Sequence, residues 1–336
     1  MSPRIRKILV IRNDKIGDFM LIWPALSYLK KNLPQSQITC VVSEPVKDLA
    51  LNCPYIDEVV VDSTISKLKE QFEKDKFDVA VSFFSTFRIG YLLHSLKIPI
   101  RIAPKTKLAQ FFYNYKISQR RSRSEKPEHE YNTDLIIKLF EIIKLSEPSE
   151  IELPPYLKLD NEKSKQKRIK FFDEYQINSK KKIIFIHPGT GGSSKNLSLD
   201  VYSRLCQGLR KFDDYNFLIH SSKDEQEMAR SLKLLLASTV NIKVITPTQK
   251  MNEVIFNINN CDIFISGSTG PLHIAGALNK KTIAFYPSKR SSTSLRWQTI
   301  NDFEKRLDFS DNNNKNINIS INEKKSIIDI QKFIGS

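Results

Sequence analysis

No apolar run in this chain approaches the roughly 18 residues that a membrane-spanning helix requires, so no such helix is expected. The N-terminal stretch MSPRIRKILVIR is basic but has no extended apolar segment before a small-residue cleavage site, so no secretory leader is expected. The four cysteines, Cys40, Cys53, Cys206 and Cys261, form no CxxC pair, and the five histidines are dispersed. A structural zinc site therefore has no support, and buried free thiols in a reducing cytoplasm are expected. Glycine is scarce too: 10 residues in 336, about 3% against a usual 7%.

What is present is ample apolar material, 40% of residues with 20 Phe and 11 Tyr, enough for folded cores. At 336 residues the natural expectation is two domains. The net charge is +16, from 53 Lys and Arg against 37 Asp and Glu, which points to anionic partners. Nucleic acid, a membrane surface and phosphorylated small molecules all satisfy that condition.

Strand-like and helix-like segments alternate. KILVIR, QITCVVSE, VVVD, DVAVSFF and IPIRIAP read as strands, and FMLIWPALSYLKKNLP as one helix with a proline in its second turn. From Arg101 to Lys126 the pattern dissolves, with eight Lys or Arg against one Glu. The alternation restarts with KIIFIHPG and continues through YNFLIHSS, VNIKVIT, CDIFISGS and KTIAFYP. Such alternation predicts an α/β fold of parallel sheets. Two successive units of similar size predict two Rossmann-like domains, 1–165 and 166–336. The terminal helix in EKKSIIDIQKFIGS is left free to dock on its own domain or back on the first.

Seven of the ten glycines fall in three loops, each after an aliphatic strand and before a helix. In open α/β sheets the ligand crevice lies at the carboxyl ends of the strands, and glycine there allows close approach or positive φ. HPGTGGSSK offers small residues, the hydroxyls of Thr190 and Ser193, and the cation of Lys195, a suitable cradle for phosphate. It lacks Walker A spacing. In SGSTGPLHIAGA, Ser268 and Thr269 can cap the next helix, Pro271 suits its first turn, and His273 is expected to face the crevice. RNDKIGD instead carries carboxylates. Asp18 there suits a general base, or else caps a helix beginning at Phe19.

Together these stretches resemble glycosyltransferase family 9, the bacterial heptosyltransferases of lipopolysaccharide core synthesis. ILVIRNDKIGDFMLIWPAL is similar to its N-terminal R-x-D-x-x-G-D loop and P-A-L helix. IHPGTGGSSKNLSL is similar to its G-x-x-x-x-x-K donor loop, and ISGSTGPLHIAGAL to its [ST]-G-P-x-H block. The resemblance spans residues 8 to about 298. It implies a GT-B fold of two Rossmann-like parallel-sheet domains facing across a cleft, the first taking the acceptor and the second a nucleotide-diphosphate sugar, usually ADP-heptose. It implies inverting transfer with neither metal nor cofactor. Asp18 would be the base and Lys195 the stabiliser of the departing diphosphate. Gly17, Thr190, Gly191, Gly192, Ser193, Ser268, Thr269, Gly270 and His273 would line the substrate sites. Glu225 would contact the ribose, and Met251 would border the base.

Two departures leave the donor sugar open. Ser268 stands where the family often has aspartate, and Asn196-Leu197 where many members have a tryptophan-containing K-x-W. The anionic glycolipid acceptor that the resemblance implies lies in the inner leaflet, so the expected location is cytoplasmic and peripheral on the inner membrane. Arg120, Arg121 and Arg123, with Phe111, Phe112 and Tyr113 nearby, are candidates for contact with that acceptor or surface. A solvated basic loop is the plainer alternative. A nucleotide-sugar epimerase of the same architecture is the rival enzyme. A nucleic-acid-binding protein is the rival suggested by charge, but no recognised binding module is present.

Overall fold

The computed structural model describes residues 5–106, 108–159, 161–192, 194–210, 215–313 and 315–335. Ser193, one of the expected loop residues, lies outside these. The chain divides into two compact units, Met1–Tyr156 and Leu157–Ser336. The helix Asn161–Glu174 thus falls wholly in the second unit and runs across the 165/166 boundary expected from composition.

In the first unit, β1 (Lys7–Arg12), β2 (Gln37–Val42), β3 (Glu58–Val61), β4 (Val79–Ser82), β5 (Ile100–Pro104) and β6 (Tyr115–Ile117) form one sheet in the order β3-β2-β1-β4-β5-β6. All its pairings are parallel; Ile8 faces Ile38 of β2 and Val79 of β4. Ile8, Leu9, Val10 and Ile11 are all fully buried, which is why this strand reads as unbroken aliphatic sequence.

The second unit repeats the plan with β7 (Lys182–His187), β8 (Tyr215–Ile219), β9 (Ile242–Val244), β10 (Ile263–Gly267), β11 (Lys281–Tyr286) and β12 (Arg306–Ser310), ordered β12-β11-β10-β7-β8-β9. Counted from its own first strand, this is the same order as in the first unit. It is the doubly wound arrangement whose direction reverses between the first and fourth strands. Ligand-binding loops collect at that reversal, and the three glycine-bearing loops follow β1, β7 and β10.

Two expectations need correction, and one open question is answered. FMLIWPALSYLKKNLP is two helices, Ile16–Met20 and Trp23–Asn32. Pro24 lacks an N–H and would collide with the carbonyl four residues back, at Met20, so it opens the second helix instead of sitting inside one. Residues 101–126 are not patternless: they hold β6 and the 3-10 turns Leu108–Phe112 and Arg121–Arg123. The terminal helix Glu323–Gly335 docks on the second unit, with Ile330 and Ile334 in its core and Gln331 Nε2 donating to the Gly208 carbonyl at 2.9 Å. All four cysteines are buried free thiols. Among the described residues, no helix is long and apolar enough to cross a membrane.

Candidate active site

At the end of β1 the aliphatic run stops at Arg12, whose side chain is only 2% exposed. A buried guanidinium is costly unless it is paired. Arg12 Nη2 donates to Asp18 Oδ1 at 2.6 Å, Nε lies 2.9 Å from Asp14 Oδ1, and Nη1 donates to the Phe83 carbonyl at 3.2 Å. One buried cation therefore fixes two carboxylates and ties them to the exit of β4. The loop is fastened from its other side by Asn13, which donates to Asp62 Oδ2 at 2.6 Å. Asp62 in turn pairs with Arg88.

Asp18 does not cap a helix at Phe19. The helix begins at Ile16, so Asp18 lies within its first turn and its carboxylate turns back to Arg12. Its side chain is 20% exposed. Gly17 is the second residue of that helix. Left-handed backbone occurs instead at Gly191 and Gly192. The Asp14 carboxyl is pushed up to about 7 by burial, against the pull of Arg12 and with the help of the Asp18 charge.

Of the three candidate surface arginines, Arg120 and Arg123 are exposed. Arg121 turns inward. It pairs with Glu128, which is 2% exposed, and its Nε donates to Gln119 Oε1 at 2.9 Å. Its guanidinium carbon lies 5.7 Å from the Tyr131 ring centre. Arg121 therefore serves the interior of this unit, because a buried carboxylate needs a counter-charge.

In the second unit β7 ends at His187 and the chain enters the Pro188–Asn196 loop. Gly191 and Gly192 have φ of +54° and +71°, and nothing lies within 4 Å of where a Cβ would stand on either. The left-handed backbone explains why these positions are glycine. The open side leaves room for a ligand against the loop. Glu225 anchors the loop from beneath. Its Oε1 accepts from the Gly191 N–H at 2.8 Å, and Ser222 Oγ donates to its Oε2 at 2.6 Å in a capping box.

Burial raises the Glu225 carboxyl, but His187, Ser222 and the Gly191 N–H outweigh it, and the net shift is downward. Burial also pushes His187 below its ordinary value, although Glu225 pulls the other way. His187 Nδ1 lies 2.9 Å from the His220 carbonyl, which fixes the tautomer with its proton on Nδ1. Burial and the His187 neighbour lower His220 to about 3.

Gly189 makes the anchor possible, since a Cβ there would stand 2.0 Å from Glu225 Oε1. Gly189→Ala is expected to break the Gly191–Glu225 bond and cost about 1–3 kcal/mol of stability. Hydrogen exchange at the Gly191 amide reads it directly, and an unchanged exchange rate would refute the anchor.

Lys195 Nζ donates to the Asn316 carbonyl at 2.6 Å, which links the loop to the chain following β12. Asn196 was prominent in the sequence only as a departure from the family pattern. In the structure it is the joint between loops. Its Nδ2 donates to the Pro188 carbonyl at 2.6 Å, and its Oδ1 accepts from Tyr202 Oη at 2.8 Å and stands 2.6 Å from where a Cβ on Gly267 would lie. Gly267 must lack a side chain for the β7 and β10 loops to meet.

Beyond Gly267, Thr269 caps the helix Gly270–Ala277, its Oγ1 accepting from the Leu272 N–H at 3.3 Å, with Pro271 in the first turn. Ser268 is half-buried. His273 is 2% exposed, so it lies inside the unit rather than facing an open crevice. Met251 opens the helix Met251–Asn259 and is half-buried. A cavity of about 460 Å³ lies at the opposite, amino-terminal ends of β7, β8 and β9, lined by Lys181, Tyr215, Asn216 and Lys243 among others. Ligands of doubly wound sheets bind at the carboxyl ends, so that cavity is not the site.

Comparison with known proteins agrees with this geometry. The sequence profile of Glycosyltransferase family 9 (heptosyltransferase) matches residues 65–325. A Haemophilus influenzae protein, named only provisionally as a glycosyltransferase, is 39% identical over 91% of this chain and 89% of its own length. Lipooligosaccharide heptosyltransferase 2 of Campylobacter jejuni is 24% identical, covering 88% of this chain and 85% of its own. The solved Escherichia coli ADP-heptose lps heptosyltransferase II superposes with a TM-score of 0.75 at 16% identity, over 97% of this chain and 98% of its own. That likeness establishes two Rossmann-like units of GT-B type. The profile match over most of the chain carries the further conclusion that this protein is a glycosyltransferase and belongs to glycosyltransferase family 9, the heptosyltransferase family.

Proposed function

We propose that the protein transfers a heptose from ADP-heptose, with inversion and without a metal ion, to a hydroxyl of a lipopolysaccharide core or other surface glycan. The observation that carries this reading is the repeated strand order. It places Arg12, Asp14 and Asp18 at the switch point of the first unit, and the Gly189–Asn196 loop at the equivalent point of the second. The names of the Campylobacter and Escherichia coli relatives supply the donor and acceptor class.

In this reading Arg12 fixes one oxygen of Asp18, and the carboxylate takes the proton of the acceptor hydroxyl as its oxygen bonds to the anomeric carbon. The bond from that carbon to the diphosphate breaks, and its electron pair leaves on ADP. Attack from the side opposite the leaving group inverts the centre. The developing negative charge falls to Lys195, Thr190 and the N–H groups of Gly191 and Gly192. Diphosphate binding then competes with Glu225 for the Gly191 N–H.

Calorimetric titration with ADP, UDP, GDP and dTDP, run with magnesium and again with EDTA, tests the donor assignment. ADP is expected to bind selectively, and Lys195→Ala to weaken it about 10–100-fold, the worth of a charge-assisted hydrogen bond. Preference for another nucleotide would replace the donor, and dependence on a metal would show as lost binding in EDTA. Binding to none of the four would overturn the reading.

A further inference from the structure

From Val79 to Ser124 the sequence contains no Asp or Glu at all, yet it carries nine Lys or Arg. Within this acid-free stretch lies an unusual helix face. In Phe87–Ser95, Ile89, Leu92 and Leu93 point into the core, as an amphipathic helix requires. The outward positions Phe87 and Tyr91, four residues apart and so on one face, are aromatic rather than polar. They are 58% and 49% exposed.

A second element extends this face. The 3-10 turn Leu108–Phe112 packs on the helix, with the Phe112 ring 4.9 Å from that of Phe87 and 6.1 Å from that of Tyr91. Gly90 admits it, because a Cβ there would stand 2.9 Å from Phe112 Cδ2. The turn then presents Leu108 and Phe111 to solvent at 67% and 75% exposure. Phe84, at the exit of β4, is also exposed. In the chain, the exposed cations Lys97 and Lys105 lie between these two elements, and the exposed Lys116, Arg120 and Arg123 follow them.

An exposed patch of large apolar side chains rimmed by polar residues marks an interaction surface. Aromatic rings that insert shallowly, beside lysines and arginines, are the combination that binds an anionic bilayer surface. We propose that the face built from Phe87–Ser95 and Leu108–Phe112 docks on a membrane containing anionic lipid. This deepens the transferase reading and rests on it for the reason a membrane should be near. Phe84 follows Phe83, whose carbonyl accepts from Arg12, so the docking face adjoins the loop that carries Asp18. A lipid-anchored acceptor at that membrane would be delivered to the end of the sheet where the base stands.

Sedimentation of the full chain with phosphatidylcholine vesicles, with and without 30 mol% phosphatidylglycerol as about a third of the lipid, tests the proposal. Binding is expected on the anionic vesicles only. Leu108→Ser/Phe111→Ser alters two strongly exposed side chains and should leave the fold intact; it is expected to reduce partitioning about tenfold. Lys105→Gln/Lys116→Gln should reduce it about 25-fold on anionic vesicles, at about a factor of five for each charge removed. No vesicle binding by the wild type, equal binding to both vesicle types, or binding unaltered in the Ser double variant would each overturn the proposal. ADP titration of the same preparations separates the two readings. Retained ADP binding with failed docking removes the membrane face alone, whereas intact docking without ADP binding removes the ADP-heptose assignment and leaves the membrane face standing.

Discussion

Asp18→Asn is expected to lower kcat by about 10²–10⁴-fold, the usual contribution of a positioned general base, with little change in the Kd for ADP. Asparagine keeps the size of the carboxylate, and its amide oxygen can still accept from Arg12 Nη2, which lies 2.6 Å from Asp18 Oδ1 in the wild type. What it loses is the capacity to accept a proton from the acceptor hydroxyl. The loop proposed to hold the nucleotide belongs to the other unit, so donor affinity should be untouched. Steady-state kinetics with calorimetry on the same protein separates these quantities. A variant with near-normal kcat would remove Asp18 from the chemistry and leave Asp14 as the carboxylate to test.

The second large effect concerns stability. Arg12→Ala is expected to destabilise the first unit by about 3–5 kcal/mol, because it strips the counter-ion from two carboxylates rather than one. The effect should depend on pH with a definite sign. Asp14 is raised from 3.8 to about 7 in the folded protein. The folded state therefore holds a proton that the unfolded chain has already released, and this group makes stability fall as pH rises through that window. Removing Arg12 removes the cation that opposes the rise, so the penalty should be greatest above pH 7 and shrink toward pH 4, where the Asp14 carboxyl is protonated. Urea unfolding at pH 4.5 and pH 8 measures both limits. A penalty independent of pH would show that Arg12 acts by packing alone.

The alternation of aliphatic runs with amphipathic segments made the doubly wound plan legible, because strands buried on both faces must be aliphatic throughout. Glycine scarcity made the loops legible, since a chain that uses so few places them where the backbone demands them, as at Gly191 and Gly192. Other features left no local trace. β6 and β12 are short edge strands, YKI and RLDFS, whose pairing depends on neighbours far away in the chain. Arg121 looked like surface charge because nothing beside it in sequence announces that Glu128 is buried. Glu225 and Gly191 are 34 residues apart, and their bond exists only because β7 and β8 are adjacent. Asn196 drew notice as a departure from a motif, whereas its weight lies in joining two loops.

The duplicated strand order has a consequence for inheritance. Each half carries a complete sheet, its own core and its own switch-point loops, and the terminal helix closes on the half that encodes it. Under the proposed mechanism, recognition of the sugar nucleotide and deprotonation of the acceptor are written in separate, contiguous stretches of gene. A lineage can exchange or drift in one stretch while the other stays fixed, and so acquire a new donor for an old acceptor without redesigning the machine that joins them.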